Sequence, residues 1–129
     1  MDVQKKLLLV STFGDYPGFD KVFRSYQYEV TKVKTLRKAL ASIKEIKPDV
    51  IVAEFIYAPT YGSQLSNFES LFAATQTFAP EAKFIALAHK DDLDHLKQVS
   101  ANVNNCKILT LPTNASALES CLNSITAID

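Results

Sequence analysis

The chain has 129 residues, its 14 Lys and Arg are balanced by 14 Asp and Glu, and 47% of it is apolar. That length suits one domain spanning residues 1–129, and the apolar share suffices for a packed core. The charge balance excludes the strongly basic footprint of a nucleic-acid binder. Residues 1–6 lead into only four strongly apolar residues, Leu7 to Val10. A signal peptide or a spanning helix needs a longer apolar stretch, so a cytoplasmic protein without a membrane partner is expected. Cys106 and Cys121 lack metal-type spacing and read as two buried, reduced thiols.

The first apolar run, Leu7-Leu8-Leu9-Val10, is followed by a segment from about Pro17 to Ser25 that presents Phe19, Val22 and Phe23 at helical spacing. Gly14 and Asp15 before it read as a turn and helix N-cap. The mixed run from Tyr28 to Val33 suits an edge strand. Between Thr35 and Ile46, Leu36, Leu40 and Ile43 recur at i, i+4, i+7, with Thr35 as N-cap. Val50-Ile51-Val52-Ala53 is a second continuous apolar run. Ser66 to Glu69 has the form of a capping box opening a helix with Phe68, Leu71, Phe72, Thr75 and Phe78, stopped before Pro80. Phe84 to Ala88 follows as a third run. Asp91 and Asp92 favour a helix start ahead of Leu93, Leu96 and Val99. Ile108 to Leu111 is the last run, and Thr113 or Asn114 caps a final helix using Leu118, Cys121, Leu122 and Ile125.

Continuous apolar runs suit strands buried on both faces, and strict alternation of strands and helices implies right-handed crossovers. Five such units predict an α/β, flavodoxin-like, doubly wound fold. Its parallel five-stranded sheet has the order 2-1-3-4-5, within three α/β/α layers. In that topology the crevice lies beyond the carboxyl ends of strands 1 and 3, at Ser11 to Asp15 and Glu54 to Tyr57, flanked by Ala88 to Lys90 and Leu111-Pro112.

Tyr28-Glu29-Val30, the helix segment Leu36 to Leu40, and Lys47-Pro48-Asp49 leading to Glu54 together resemble the CheY-like receiver domain of two-component response regulators. Leu111-Pro112 is similar to that family's lysine-proline pair, and the resemblance runs along nearly the whole chain. It implies a phosphoacceptor pocket at five positions, and the sequence departs from the family at each. Ser11 and Thr12 stand where receivers carry two Mg²⁺-binding acids, and Glu54 stands at the phosphoacceptor aspartate. Ala88 replaces the phosphate-bonding Thr or Ser, and Leu111 replaces the lysine. Ile108 occupies the aromatic switch position.

Magnesium needs charged hard oxygen ligands, and phosphoryl transfer needs charge stabilisation, so these replacements remove the means of conventional phosphorylation. A degenerate pseudo-receiver, not an enzyme, is expected, with no metal and no cofactor. Glu54 itself has three readings: an imitation of a phosphorylated aspartate, a carboxylate facing solvent, or one bonded to the hydroxyls of Ser11 or Thr12. The imitation is partial, since a phosphoryl group carries more charge. An unorthodox phosphoacceptor at Glu54 in a phosphorelay is the first alternative.

A flavodoxin-like binder of FMN or a nucleotide is the second. Ser11 to Asp15 resembles an FMN-contacting loop of diflavin reductases, but here it follows strand 1 instead of strand 3, without a Gly-rich anion nest. His89 and His95, near Asp91, Asp92 and Asp94, match no ligand spacing.

By the resemblance, output runs through the face of helix 4, strand 5 and helix 5, with His95, Lys97, Lys107 and Glu119 as rim residues. The long connection after strand 3 adds Tyr57 and Tyr61 as interface anchors. The expected partner is another signalling protein or effector, with a second copy of the chain as the other partner considered.

Overall fold

The structure, a computed structural model, describes residues 4–12, 16–56, 66–101, 103 and 106–126. Its strands are β1 (Lys6–Val10), β2 (Glu29–Val33), β3 (Val50–Glu54), β4 (Lys83–His89) and β5 (Cys106–Leu111). They alternate with helices α1 (Phe19–Ser25), α2 (Leu36–Ile46), α3 (Asn67–Phe78), α4 (Leu93–Val99) and α5 (Ala115–Thr126). The sheet has the order β2-β1-β3-β4-β5, and every pairing is parallel. The doubly wound architecture expected from the alternation is the one observed.

Period-two alternation along the strands divides the core into two layers. Leu8, Val10, Ile51, Ala53, Phe84 and Ala86 face one way, where Ala39 and Ile43 of α2, Phe68 and Leu71 of α3, and Leu96 of α4 cover them. Leu7, Leu9, Val50, Val52, Ile85 and Leu87 face the other way, under Phe19 and Phe23 of α1 and Leu118 and Leu122 of α5. All five residues of β3 are buried, as a central strand in a doubly covered sheet requires. Phe68 is packed at its centre edge-on against Phe55, Phe72 and Phe84, with ring centroids 5.1–5.3 Å away.

The caps explain where several helices begin. The Thr35 hydroxyl accepts from the Lys38 N–H at 3.1 Å. Ser66 accepts from the Phe68 N–H while Glu69 accepts from the Ser66 N–H, the reciprocal pair expected from the sequence. At α5 the choice between two caps resolves to Asn114, whose Oδ1 accepts from the Ala117 N–H at 2.9 Å.

One start differs from expectation, at α1, while α4 begins at Leu93 directly after the two acids, as expected. Helix α1 has Gly18 at its N-cap position, not Asp15; residues 13–15 lie outside the described residues. Gly18 has φ +89°, and a Cβ there would lie 3.1 Å from the Ala115 Cβ, so a glycine is needed on both counts. Ahead of α4, Lys90–Asp92 form a single 3₁₀ turn, and Asp92 at the N-cap makes no side-chain capping bond. The two acids favour that start by charge alone.

Candidate functional site

Glu54 is the last residue of β3 and the in-register partner of Leu87, so its side chain projects to the α1 and α5 side of the sheet. It is 5% exposed. Its Oε1 accepts from the Thr12 N–H at 2.6 Å, and its Oε2 accepts from the Tyr16 hydroxyl. The solvent-facing reading of Glu54 is therefore wrong, and so is the bond to a Thr12 hydroxyl. That hydroxyl instead donates to the Lys34 carbonyl at 2.8 Å, which leaves the backbone amide to meet the carboxylate.

Two further residues complete the clamp. Asn67 donates through Nδ2 to the Glu54 carbonyl at 2.8 Å and accepts at Oδ1 from the Ile56 N–H at 2.8 Å. One amide side chain thus ties the chain leaving β3 to the first turn of α3. Tyr16 comes from the segment before α1, and its ring stacks on Phe19 at 5.0 Å between centroids. Burial first, and then the hydrogen bond to Glu54 and the charge of Glu54, raise the Tyr16 phenol above its ordinary range. The hydroxyl is held in its protonated, donating form.

The remaining pocket positions do not converge equally on Glu54. Ser11 follows β1, and its N–H donates to the Val33 carbonyl at 3.0 Å. Leu111, half-buried at the end of β5, packs into the layer beneath α1 and α5, and its peptide bond to Pro112 is cis. Ala88 is fully buried in the opposite layer, beside Ala53 and Phe68, because it stands one residue beyond the partner of Glu54. A cleft of about 350 Å³ does open near Ser11, but between β1, β2 and α1. Glu54, Ala88 and Leu111 do not line it.

Of the candidate surface residues, His95 is half-buried on α4 and Lys97 is exposed there; Lys107 is exposed on β5 and Glu119 on α5. Strand β5 forms a sheet edge, with α4 over one layer and α5 over the other, so the four residues are distributed around that edge. Glu119 lies toward α1, where its carbonyl accepts from the Tyr26 hydroxyl at 3.4 Å. Tyr57 and Tyr61 lie outside the described residues.

Cys106 and Cys121 are free thiols, half-buried rather than fully buried. Burial pushes the Cys106 thiol up to about 11; Cys121 is also raised by burial, against the lowering influence of nearby Lys107. Among the described residues, no three His, Cys, Asp or Glu side chains are grouped to hold a metal ion.

Neither sequence motif nor spacing singled out Tyr16 or Asn67. The one local signal is the Tyr16-Pro17-Gly18 turn, which sets Tyr16 immediately before a helix that packs on the same layer as Glu54.

No protein-family model matches the chain, and no curated protein matches it in sequence. In structure, the fold is that of CheY-like response-regulator receiver domains. The chain is similar to the chemotaxis response regulator CheY4 of Vibrio cholerae, with a TM-score of 0.74 and 22% identity, over 95% of this chain and 99% of that one. The receiver domain of NtrC4 from Aquifex aeolicus superposes with a TM-score of 0.67 and 18% identity, over 96% and 95% of the two chains. An adenylate cyclase structure from Rhodopirellula baltica gives a TM-score of 0.71 and 23% identity, over 97% and 89%. At these identities the likeness is one of fold.

Proposed function

We propose that this chain is a receiver-like signalling domain that works by contact with another protein and not by phosphoryl transfer. The observation that carries the reading is the state of Glu54. The carboxylate at the phosphoacceptor position is buried, and each oxygen already accepts a hydrogen bond from the chain's own Thr12 N–H or Tyr16 hydroxyl. An attacking oxygen has to reach an incoming phosphorus in line, with charge stabilisation around the transferred group. Ser11, Thr12 and Leu111 bring neutral side chains to the positions where a receiver has two acids and a lysine. A cytoplasmic, non-enzymatic protein fits this reading. Among the described residues no helix is long and apolar enough to cross a membrane.

The output surface in this reading is the β5 edge with α4 and α5, and the partner is a signalling protein or a second copy of the chain. Incubation with acetyl phosphate and Mg²⁺, followed by intact-mass measurement, is expected to leave the protein unmodified. A phosphoryl adduct that disappears in Glu54→Gln would overturn the proposal in favour of an unorthodox phosphoacceptor. A partner recovered with the parent protein is expected to be lost with the double reversal Lys97→Glu, Lys107→Glu and retained with Glu54→Gln. Loss with Glu54→Gln alone would mark the carboxylate as the signal.

A further inference from the structure

The cleft between β1, β2 and α1 adjoins the Glu54 clamp through Ser11 and Tyr16, while Glu54, Ala88 and Leu111 do not line it. Its volume, about 350 Å³, lies within the range of small-molecule sites. Leu9 and Val33 supply buried apolar lining, and the side walls differ in character. One wall is Tyr16, whose ring is held by stacking on Phe19 and whose hydroxyl is fixed by Glu54. A ring restrained at both ends gives a flat surface at little further cost in side-chain entropy.

The lining also carries charged side chains. Lys32 lies 2.8 Å from Asp20, so its charge is largely offset within the cleft. Lys34 also lines the cleft, is exposed, and makes no ion pair among the described residues. Among the described lining residues the charged side chains are Lys32, Lys34 and Asp20, which leave one net positive charge in a cleft that Tyr16 also lines.

We propose that this cleft binds a small organic monoanion with a planar apolar body, of the aromatic carboxylate class, its carboxylate paired with Lys34 and its ring against Tyr16. An apolar plane alone would leave the lysine without a counter-charge, and a bare anion would leave the aromatic wall and the Leu9–Val33 floor uncovered. The combination satisfies both walls.

The test uses 2-naphthoate as probe and its own fluorescence anisotropy as readout, with the full chain. Saturable binding is expected at a dissociation constant below about 1 mM. Lys34→Glu is expected to weaken it by about ten-fold or more, with Lys34→Gln intermediate. Lys90→Glu, an exposed reversal outside the cleft, is expected to leave it unchanged. Uncharged 2-naphthalenemethanol and ringless acetate are each expected to bind more weakly than 2-naphthoate. Absence of saturable binding, equal binding by the alcohol or by acetate, or equal binding to Lys34→Glu would each overturn the assignment. None of these outcomes bears on whether Glu54 accepts a phosphoryl group.

Discussion

A single buried carboxylate, Glu54, ties the end of β3 to the segments that follow β1 and precede α1. A glutamate is one methylene longer than an aspartate, and that reach brings the two oxygens of Glu54 to the Thr12 amide and the Tyr16 hydroxyl. Hydrogen bonds to a charged group contribute about 1.5–3 kcal/mol when buried, less when one partner is half-exposed as Tyr16 is. Tyr16→Phe is therefore expected to lower stability at pH 7 by about 1–2 kcal/mol in urea unfolding. Its alkaline behaviour reports on the burial of the phenol together with its contact to Glu54. The Tyr16 phenol ionises at higher pH folded than unfolded, so the folded state holds the proton longer. Its contribution is fully present below pH 10 and is lost as pH rises past that value. Cys106, raised from 9.0 to about 11, begins the decline one unit earlier in parent and variant alike. Parent stability should fall above pH 9 and steepen above pH 10, while Tyr16→Phe loses only the steeper part. Identical slopes in the two proteins would show that the folded state does not hold the Tyr16 phenol proton beyond its ordinary range. The partner of Glu54 was not legible in the sequence because Tyr16 is 38 residues away, brought there only by the packing of α1 on the sheet. The pattern that identified the position of Glu54 was local, running from Lys47 to Ala53, and says nothing about what closes over it.

At the scale of elements, legibility followed the strength of local chemistry. Strands β1, β3 and β4 are nearly continuous apolar runs, and the side-chain-capped helices α2, α3 and α5 begin after Thr35, Ser66 and Asn114. Where the cap is a backbone conformation, the sequence misleads. Asp15 has the right chemistry for a cap, yet α1 starts at Gly18, which the left-handed φ of +89° favours and the close approach of Ala115, almost a hundred residues later, reinforces. Helix α3 offers the quantitative test. Its Ser66 is buried, accepts the Phe68 N–H at 3.1 Å, and also meets Glu69 Oε1 at 2.5 Å. Ser66→Ala removes the acceptor for an N-terminal amide and strands one end of the capping box, at a cost of about 1–2 kcal/mol. The expected result is a lower urea midpoint with unchanged denaturant dependence; a change below about 0.3 kcal/mol would show that solvent replaces the cap.

For the whole molecule, the balance of charge and the strict alternation of elements were informative in different ways. Alternation over five units predicted a doubly wound parallel sheet of flavodoxin-like order, and β2-β1-β3-β4-β5 is the order observed. Neutrality excluded a broad electrostatic partner but located neither the cleft beside Lys34 nor the β5 edge, since both depend on which charges the fold brings together. The two core layers share the backbone of the same sheet, so neither persists without the other. Phe68 tests that dependence from one side. It is fully buried, meets Phe55, Phe72 and Phe84, and lies in the layer opposite Tyr16 and the cleft. Phe68→Ala is expected to cost about 3–5 kcal/mol, a large part of the 5–15 kcal/mol typical of a domain. If the layers unfold together, tyrosine fluorescence, to which Tyr16, Tyr26 and Tyr28 of the other layer contribute three of the five tyrosines, will shift to lower urea in step with far-ultraviolet circular dichroism. Separated transitions, with the tyrosine signal left at the parent midpoint, would show that the α1–α5 side holds its structure independently and that the cleft does not depend on the integrity of the opposite face.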